Sequence, residues 1–302
     1  MVALGVLWIG LAGCSKSDSA VADRDAGDSD AGAADASDAG LFGKRPYTMR
    51  VPTSYDAARP TPFVLLLHGY AASGGLQDLY FGFTAMAEEK GFLYAFADGK
   101  TDAKGNKFWN ATDGCCNFDG NPVDDVAYLT AILDDVEARY NVDRKRVYIV
   151  GHSNGGFMAH RMACEIAPRV AAIVSLAGAQ WVDATKCSAA EPVSVLQVHG
   201  DADQTIHYEG GSTSQGAYPS AHQTVATWAG KDHCTGAPTA TGDMLDIDAK
   251  IAGSETTVEK YDGCPAGIDV VLWSMKAGVH QPSLQSTWAS LLFGFLSNHP
   301  KP

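Results

Sequence analysis

Gly151-His152-Ser153-Asn154-Gly155 is the stretch whose reading decides the fold. It is a G-x-S-x-G pentapeptide, and both flanks suit it. Arg146-Val147-Tyr148-Ile149-Val150 precedes it, an apolar run rich in β-branched and aromatic residues that reads as a buried strand. Residues 156–166 follow, with good helix formers and no proline until Pro168. Strand, sharp turn and helix form the setting of a nucleophile elbow. The two glycines let the backbone turn without a Cβ clash. The turn would lift the Ser153 hydroxyl above the sheet, at a helix N-terminus. Free N–H groups and the positive end of the helix dipole favour a developing oxyanion there.

The chain has 302 residues, 46% hydrophobic, enough for one large α/β domain. A net charge of −13 argues against a nucleic-acid partner. Much of that charge lies in residues 15–40, where seven aspartates against Lys16 and Arg24 give −5. The remainder is mostly Ala, Ser and Gly, which cannot bury enough surface to offset ordering entropy, so this segment reads as a disordered tether. Residues 1–14 form an apolar run ending in small residues, the pattern of a secretory signal. Leu11-Ala12-Gly13-Cys14 resembles the bacterial lipobox, in which the cysteine becomes a lipidated N-terminus. No Lys or Arg precedes the run, a departure from that pattern. The expectation is an exported protein, anchored to the envelope by lipid at Cys14 or secreted, with no other membrane contact.

Six further cysteines remain at 115, 116, 164, 187, 234 and 264. An even number in an exported chain implies disulfides, with fifteen possible pairings. Cys234–Cys264 is preferred, because the two bracket one polar Gly/Thr-rich excursion. A zinc site lacks the usual ligand spacing, so no metal is expected.

Residues 41–302 should form the folded domain, a monomer. Tyr47–Val51 reads as an edge strand. Residues 63–67, 93–97, 146–150, 171–176, 193–198 and 268–273 read as further strands. Helices are expected over 76–90 (with Gly91 as C-cap), 124–140, after the elbow, near 220–230 and over 285–297. Alternating strands and helices predict a mostly parallel sheet covered on both faces, with the working loops at the C-terminal strand ends.

A serine hydroxyl needs a base, and the base needs an orienting carboxylate. On a parallel sheet with such an elbow, the α/β-hydrolase order is serine, acid, histidine. His199-Gly200-Asp201-Ala202-Asp203 ends a strand and offers two acids. Asp203 is preferred for the H-G-x-x-D spacing, with Asp201 as the alternative. Among His207, His222, His233, His280 and His299, His280 fits best, in the Ala277-Gly278-Val279 loop between the last strand and the last helix. The oxyanion hole should use the Asn154 amide and the Tyr70 amide of the Gly-rich 68–75 loop.

These residues, with Leu67-His68-Gly69-Tyr70, Trp109-Asn110, Cys115-Cys116, Val123–Val126, Ala177-Gly178 and Tyr208–Gly211, occur in an order that resembles the secreted polyhydroxybutyrate depolymerase/feruloyl esterase family, related to carbohydrate esterase family one. The likeness covers nearly all of residues 45–282. It implies an α/β-hydrolase fold, the Ser153, Asp203 and His280 triad, and no cofactor. It implies a serine carboxylic-ester hydrolase acting on feruloyl or acetyl esters of plant polysaccharide, or on polyhydroxyalkanoate. It further implies that Trp109 and Asn110 lie near the site. The chain departs from the family at the histidine loop, where Gln281 stands in place of tryptophan; Trp181 could supply an aromatic wall instead. Asp124 and Asp125 suit helix capping better than catalysis. A serine peptidase on the same fold and a non-catalytic surface-binding lipoprotein are the alternatives.

Overall fold

The computed structural model describes residues 45–302. The signal segment, the lipobox Cys14 and the acidic tether expected over residues 1–40 lie outside the described residues.

The elements run β1 (Tyr47–Arg50), β2 (Thr61–Leu67), α1 (Gly74–Phe81), α2 (Phe83–Lys90), β3 (Leu93–Ala97), α3 (Asp125–Arg139), β4 (Val142–His152), α4 (Asn154–Glu165), β5 (Ala172–Leu176), β6 (Ser194–Gly200), α5 (Ala221–Lys231), β7 (Pro238–Leu245), β8 (Thr256–Tyr261), β9 (Val270–Met275) and α6 (Trp288–Ser297). Nine strands form one sheet in the order β1-β3-β2-β4-β5-β6-β9-β8-β7. The six strands from β3 to β9 in that order pair in parallel. Antiparallel strands finish both edges. This is the α/β-hydrolase arrangement that the sequence predicted.

Side-chain alternation divides the core in two. Phe63, Leu65 and Leu67 of β2 pack on α3, α4 and α5, together with Leu129, Met158 and Trp228. Val64 and Leu66 face the other way, onto α1, α2 and α6, with Phe81, Phe83 and Leu292. The central strands are buried on both faces, as parallel strands between helix layers must be.

Two expectations need correction. The helix expected over 76–90 is two helices, α1 and α2, broken at Gly82, whose φ of 73° caps the first in the left-handed region. The β7–β8 hairpin was not foreseen. Its outer strand is exposed along nearly its whole length and reads Pro-Thr-Ala-Thr-Gly-Asp-Met-Leu, so no apolar alternation marks it. The Cys234–Cys264 disulfide closes the base of this excursion. Cys164–Cys187 and the adjacent Cys115–Cys116 make up the other two pairs. Asp124 accepts from the Ala127 amide as the N-cap of α3. Asp125 is instead buried, where it pairs with Arg45 at 2.8 Å.

Candidate active site

The elbow is tight because its two glycines touch backbone. A Cβ on Gly151 would overlap the Gly155 carbonyl, and one on Gly155 would overlap the Leu67 carbonyl of β2. Ser153 sits at φ 53° and ψ −122°, a conformation non-glycine residues rarely adopt. Its amide donates to the Leu176 carbonyl of β5 at 2.8 Å. Its carbonyl accepts from the Phe157 amide at 3.0 Å and starts α4.

Three side chains from three strand ends converge there. His280 Nε2 lies 2.9 Å from Ser153 Oγ. His280 Nδ1 lies 2.7 Å from Asp203 Oδ2. A carboxylate only accepts, so it holds the histidine proton on Nδ1 and leaves Nε2 to receive the serine proton. Ser153 is 7% exposed and Asp203 2%, while the His280 side chain keeps 19%. Asp203 Oδ1 accepts from the Thr205 and Ile206 amides at 2.7 and 2.9 Å. Burial alone would raise this carboxyl. The hydrogen bond from His280, the nearby His199 N–H, the charge of His280 and the Thr205 amide outweigh it, and Asp203 is held well below the usual carboxylate range.

Asp201, the alternative acid, accepts instead from the Ala277 amide at 2.6 Å and so ties down the loop that carries His280. His152 Nε2 donates to the His280 carbonyl at 2.9 Å and fixes the same loop from the elbow side. Burial lowers the His152 imidazole to about 4, so it is neutral at pH 7. Two of the other candidate histidines are paired away from Ser153. His222 pairs with Glu259 at 3.0 Å, and His299 with Asp269 at 2.8 Å.

The two proposed oxyanion donors are available. His68 Nε2 accepts from the Gly99 amide at 2.8 Å, so its Nδ1 carries the proton and donates to the Gly69 carbonyl at 2.7 Å. That carbonyl also accepts from the Ala72 amide at 3.1 Å. In a trans peptide the N–H opposes the C=O, so the Tyr70 N–H is turned away from both partners. Gly69 itself abuts Ser153, where an added Cβ would sit 3.4 Å from the serine Cβ. Among the described residues, no hydrogen bond uses the Tyr70 or the Asn154 amide.

The aromatic and amide residues expected to touch substrate are placed differently. Trp109 is 0% exposed, its indole N–H donating to the His68 carbonyl at 3.0 Å. Its backbone forms a two-way pair with the Asn154 side chain, N–H to Oδ1 at 2.7 Å and Nδ2 to carbonyl at 3.0 Å. Trp109 therefore braces the elbow and the 68–70 loop rather than facing a ligand. The Asn110 side chain donates to the Val123 carbonyl and accepts from Asn117. Both of its ends serve the 110–123 loop. Trp181 is 7% exposed and packs into the core that contains α4, so it presents little surface for an aromatic wall. Single-sequence reading could not separate these roles, because a buried tryptophan and a ligand-facing one look alike in a loop. His152 and His199 also serve the site, although the sequence reading assigns them no role. Their signal was adjacency to Ser153 and to the H-G-x-x-D turn.

A nucleophile elbow on a parallel sheet, with acid and base on later strand ends in that chain order, defines an α/β-hydrolase. Residues 53–235 match the phospholipase/carboxylesterase family, and the chain belongs to it. Feruloyl esterase D of Neurospora crassa is 27% identical over 252 residues, covering 79% of this chain and 74% of that enzyme. Feruloyl esterase B of Piromyces equi is 26% identical over 244 residues, covering 78% of this chain but 42% of that protein. The chain spans less than half the length of the first curated relatives it matches. An acetyl xylan esterase from Aspergillus awamori shares the fold, with a TM-score of 0.59 at 15% identity, covering 83% of this chain and 94% of that one.

Proposed function

We propose that this protein is an extracytoplasmic serine carboxylic-ester hydrolase acting on polymer-linked esters. The observation that carries the reading is the unbroken Ser153–His280–Asp203 hydrogen-bond chain at 2.9 and 2.7 Å. Ser153 Oγ attacks the ester carbonyl while His280 Nε2 takes its proton. The Tyr70 and Asn154 amides receive the oxyanion. The C–O bond to the alcohol breaks, and His280 returns the proton to the leaving oxygen. Water then attacks the acyl-enzyme with His280 again as base, releasing the acid and restoring Ser153.

The rim supports a bulky, partly apolar substrate. Five of the seven exposed large apolar side chains among the described residues lie on segments that follow strands of the parallel core: Leu76 and Leu79 after β2, Phe118 after β3, Val182 after β5 and Val279 after β9. The named activities of the relatives point to feruloyl or acetyl esters of plant polysaccharide. Three disulfides suit an oxidising compartment outside the cytoplasm. Anchoring at Cys14 fits this placement, and mass spectrometry of the mature N-terminus tests it: an unmodified terminus further downstream rules the anchor out.

Product release from methyl ferulate, acetylated xylan and a polyhydroxybutyrate film tests the function. Ser153→Ala should lower turnover by on the order of a millionfold. Near wild-type turnover in that variant refutes the triad. Film clearing with poor ferulate and acetate release moves the substrate to a polyester.

A further inference from the structure

Behind Asp203 runs a second chain of buried polar side chains that the hydrolytic steps do not use. Trp228 Nε1 donates to His160 Nδ1 at 2.9 Å. An indole N–H can only donate, so His160 Nδ1 is the bare nitrogen and Nε2 carries the proton. His160 Nε2 therefore donates to Gln197 Oε1, 3.0 Å away. That orients the amide and turns the Gln197 NH₂ toward two acceptors, the Gly178 carbonyl at 2.8 Å and His199 Nδ1 at 3.3 Å. The opposite flip would set Nε2–H of His160 against NH₂ and two oxygens against each other. His199 Nδ1 is thus an acceptor, and its proton sits on Nε2. That N–H donates to the Ile206 carbonyl at 2.7 Å, and Asp203 Oδ2 lies 3.4 Å from the same nitrogen.

Every member of this chain is buried: Trp228, His160, Gln197 and His199 lie inside the core between α4, α5 and the sheet. Burial lowers the His160 imidazole to about 4, so it stays neutral at pH 7 and keeps the single N–H that the chain needs. No other tautomer set satisfies all five contacts, and unsatisfied buried polar groups are costly.

We infer that His199 is a positioning residue for the triad acid, its donor direction fixed from Trp228 through His160 and Gln197. It acts twice on Asp203. Its Nε2 sits 3.4 Å from Oδ2, where the positive end of the N–H dipole favours the carboxylate beside His280. It also clamps the Ile206 carbonyl, in the turn whose amides hold Oδ1. The titratable groups facing Asp203 are His199 from its own strand end, His280 from the loop after β9 and His152 from the elbow. This role rests on the hydrolase reading above.

Two measurements test it. Long-range ¹H–¹⁵N spectra of the unmodified protein at pH 7 should show His160 and His199 both neutral and protonated on Nε2. A His199 protonated on Nδ1, or cationic, overturns the inference without any variant. In the second, His199→Phe should lower kcat by about ten- to a hundredfold with KM little changed, because a misplaced base slows the chemical step more than binding. His199→Gln, whose amide N reaches the old Nε2 position, should recover most of that loss, while His199→Asn should not. Equal kcat in the Gln and Asn variants overturns the inference. Ser153→Ala serves as the control: activity surviving there sinks the hydrolase reading itself, whereas a dead Ser153→Ala beside a fully active His199→Phe sinks only the positioning role.

Discussion

Asp232 offers a prediction on stability that is independent of catalysis. It caps α5, is fully buried, and accepts one hydrogen bond, from the Val193 amide to Oδ1 at 3.1 Å. Its Oδ2 has no partner. Burial raises its pKa from 3.8 to about 7, against the lowering effects of the Val193 amide, Lys301 and Lys231. Between these two values the folded state binds the proton and the unfolded chain does not. Stability therefore falls as pH rises from about 4 to about 7, and the loss is complete above 7. The gap corresponds to about 4 kcal/mol at about 1.4 kcal/mol per pH unit. Asp232→Asn keeps the acceptor for Val193 and leaves one unpaired polar atom, as the protonated acid does. It should match the wild type near pH 4 and exceed it by up to about 4 kcal/mol at pH 8. For a domain of this size each kcal/mol moves Tm by roughly 2–4 °C. Urea unfolding of both proteins from pH 4 to 8 measures the difference. Parallel stability curves across that range would refute the reasoning, because they would mean that Asp232 titrates alike in both states.

Trp109→Phe keeps a ring but strands the buried His68 carbonyl, and should lower stability by about 1–3 kcal/mol in urea unfolding, with activity falling as the elbow loosens. Asp201→Ala frees the Ala277 amide and should reduce kcat by about tenfold or more through the loosened His280 loop, with Tm nearly unchanged because the contact is exposed. Leu76→Ser combined with Leu79→Ser removes two exposed apolar side chains from one face of α1. It should leave methyl ferulate turnover intact and slow release from insoluble polymer, measured side by side on both substrates.

The parallel core was legible because its strands are short, continuous apolar runs between turn signals. Leu93–Ala97 was bounded correctly, and Asp125–Arg139 to within one residue at each end, since the latter carries its apolar positions at three- and four-residue spacing. The β7–β8 hairpin was not legible, because an exposed edge strand has no buried face to pattern it. The break at Gly82 was hidden for another reason: a lone glycine inside a helical pattern is tolerated more often than it breaks a helix. At the site, Ser153 was legible from the pentapeptide, and Asp203 and His280 from the H-G-x-x-D spacing and chain order together, because a parallel sheet brings successive strand ends to one edge. Trp109 and Asn110 could not, since which face of a loop meets solvent depends on how the loop folds: Trp109 is held by Asn154 and His68, more than 40 residues away, and Asn110 by Val123 and Asn117 within its own loop.

The same edge concentrates backbone strain. Four of the five non-glycine residues with positive φ among the described residues are Ala71, Ser153, Ala177 and Ala277, following β2, β4, β5 and β9 respectively. Each costs of order 1–3 kcal/mol unless its surroundings hold it. Each is held by its own amide: Ala71 on the Lys107 carbonyl at 2.9 Å, Ser153 on Leu176 at 2.8 Å, Ala177 on Val198 at 2.8 Å, and Ala277 on the Asp201 carboxylate at 2.6 Å. Three of these acceptors are backbone carbonyls, which substitution cannot remove. The fourth is the Asp201 side chain, which reaches across from the acid's loop to hold the loop that carries the proposed base. The His280 loop is therefore the point at which a single exposed residue can loosen the site while the fold stays intact, and the core behind it is sealed by Gln197, His160 and Trp228 against the same loosening from within.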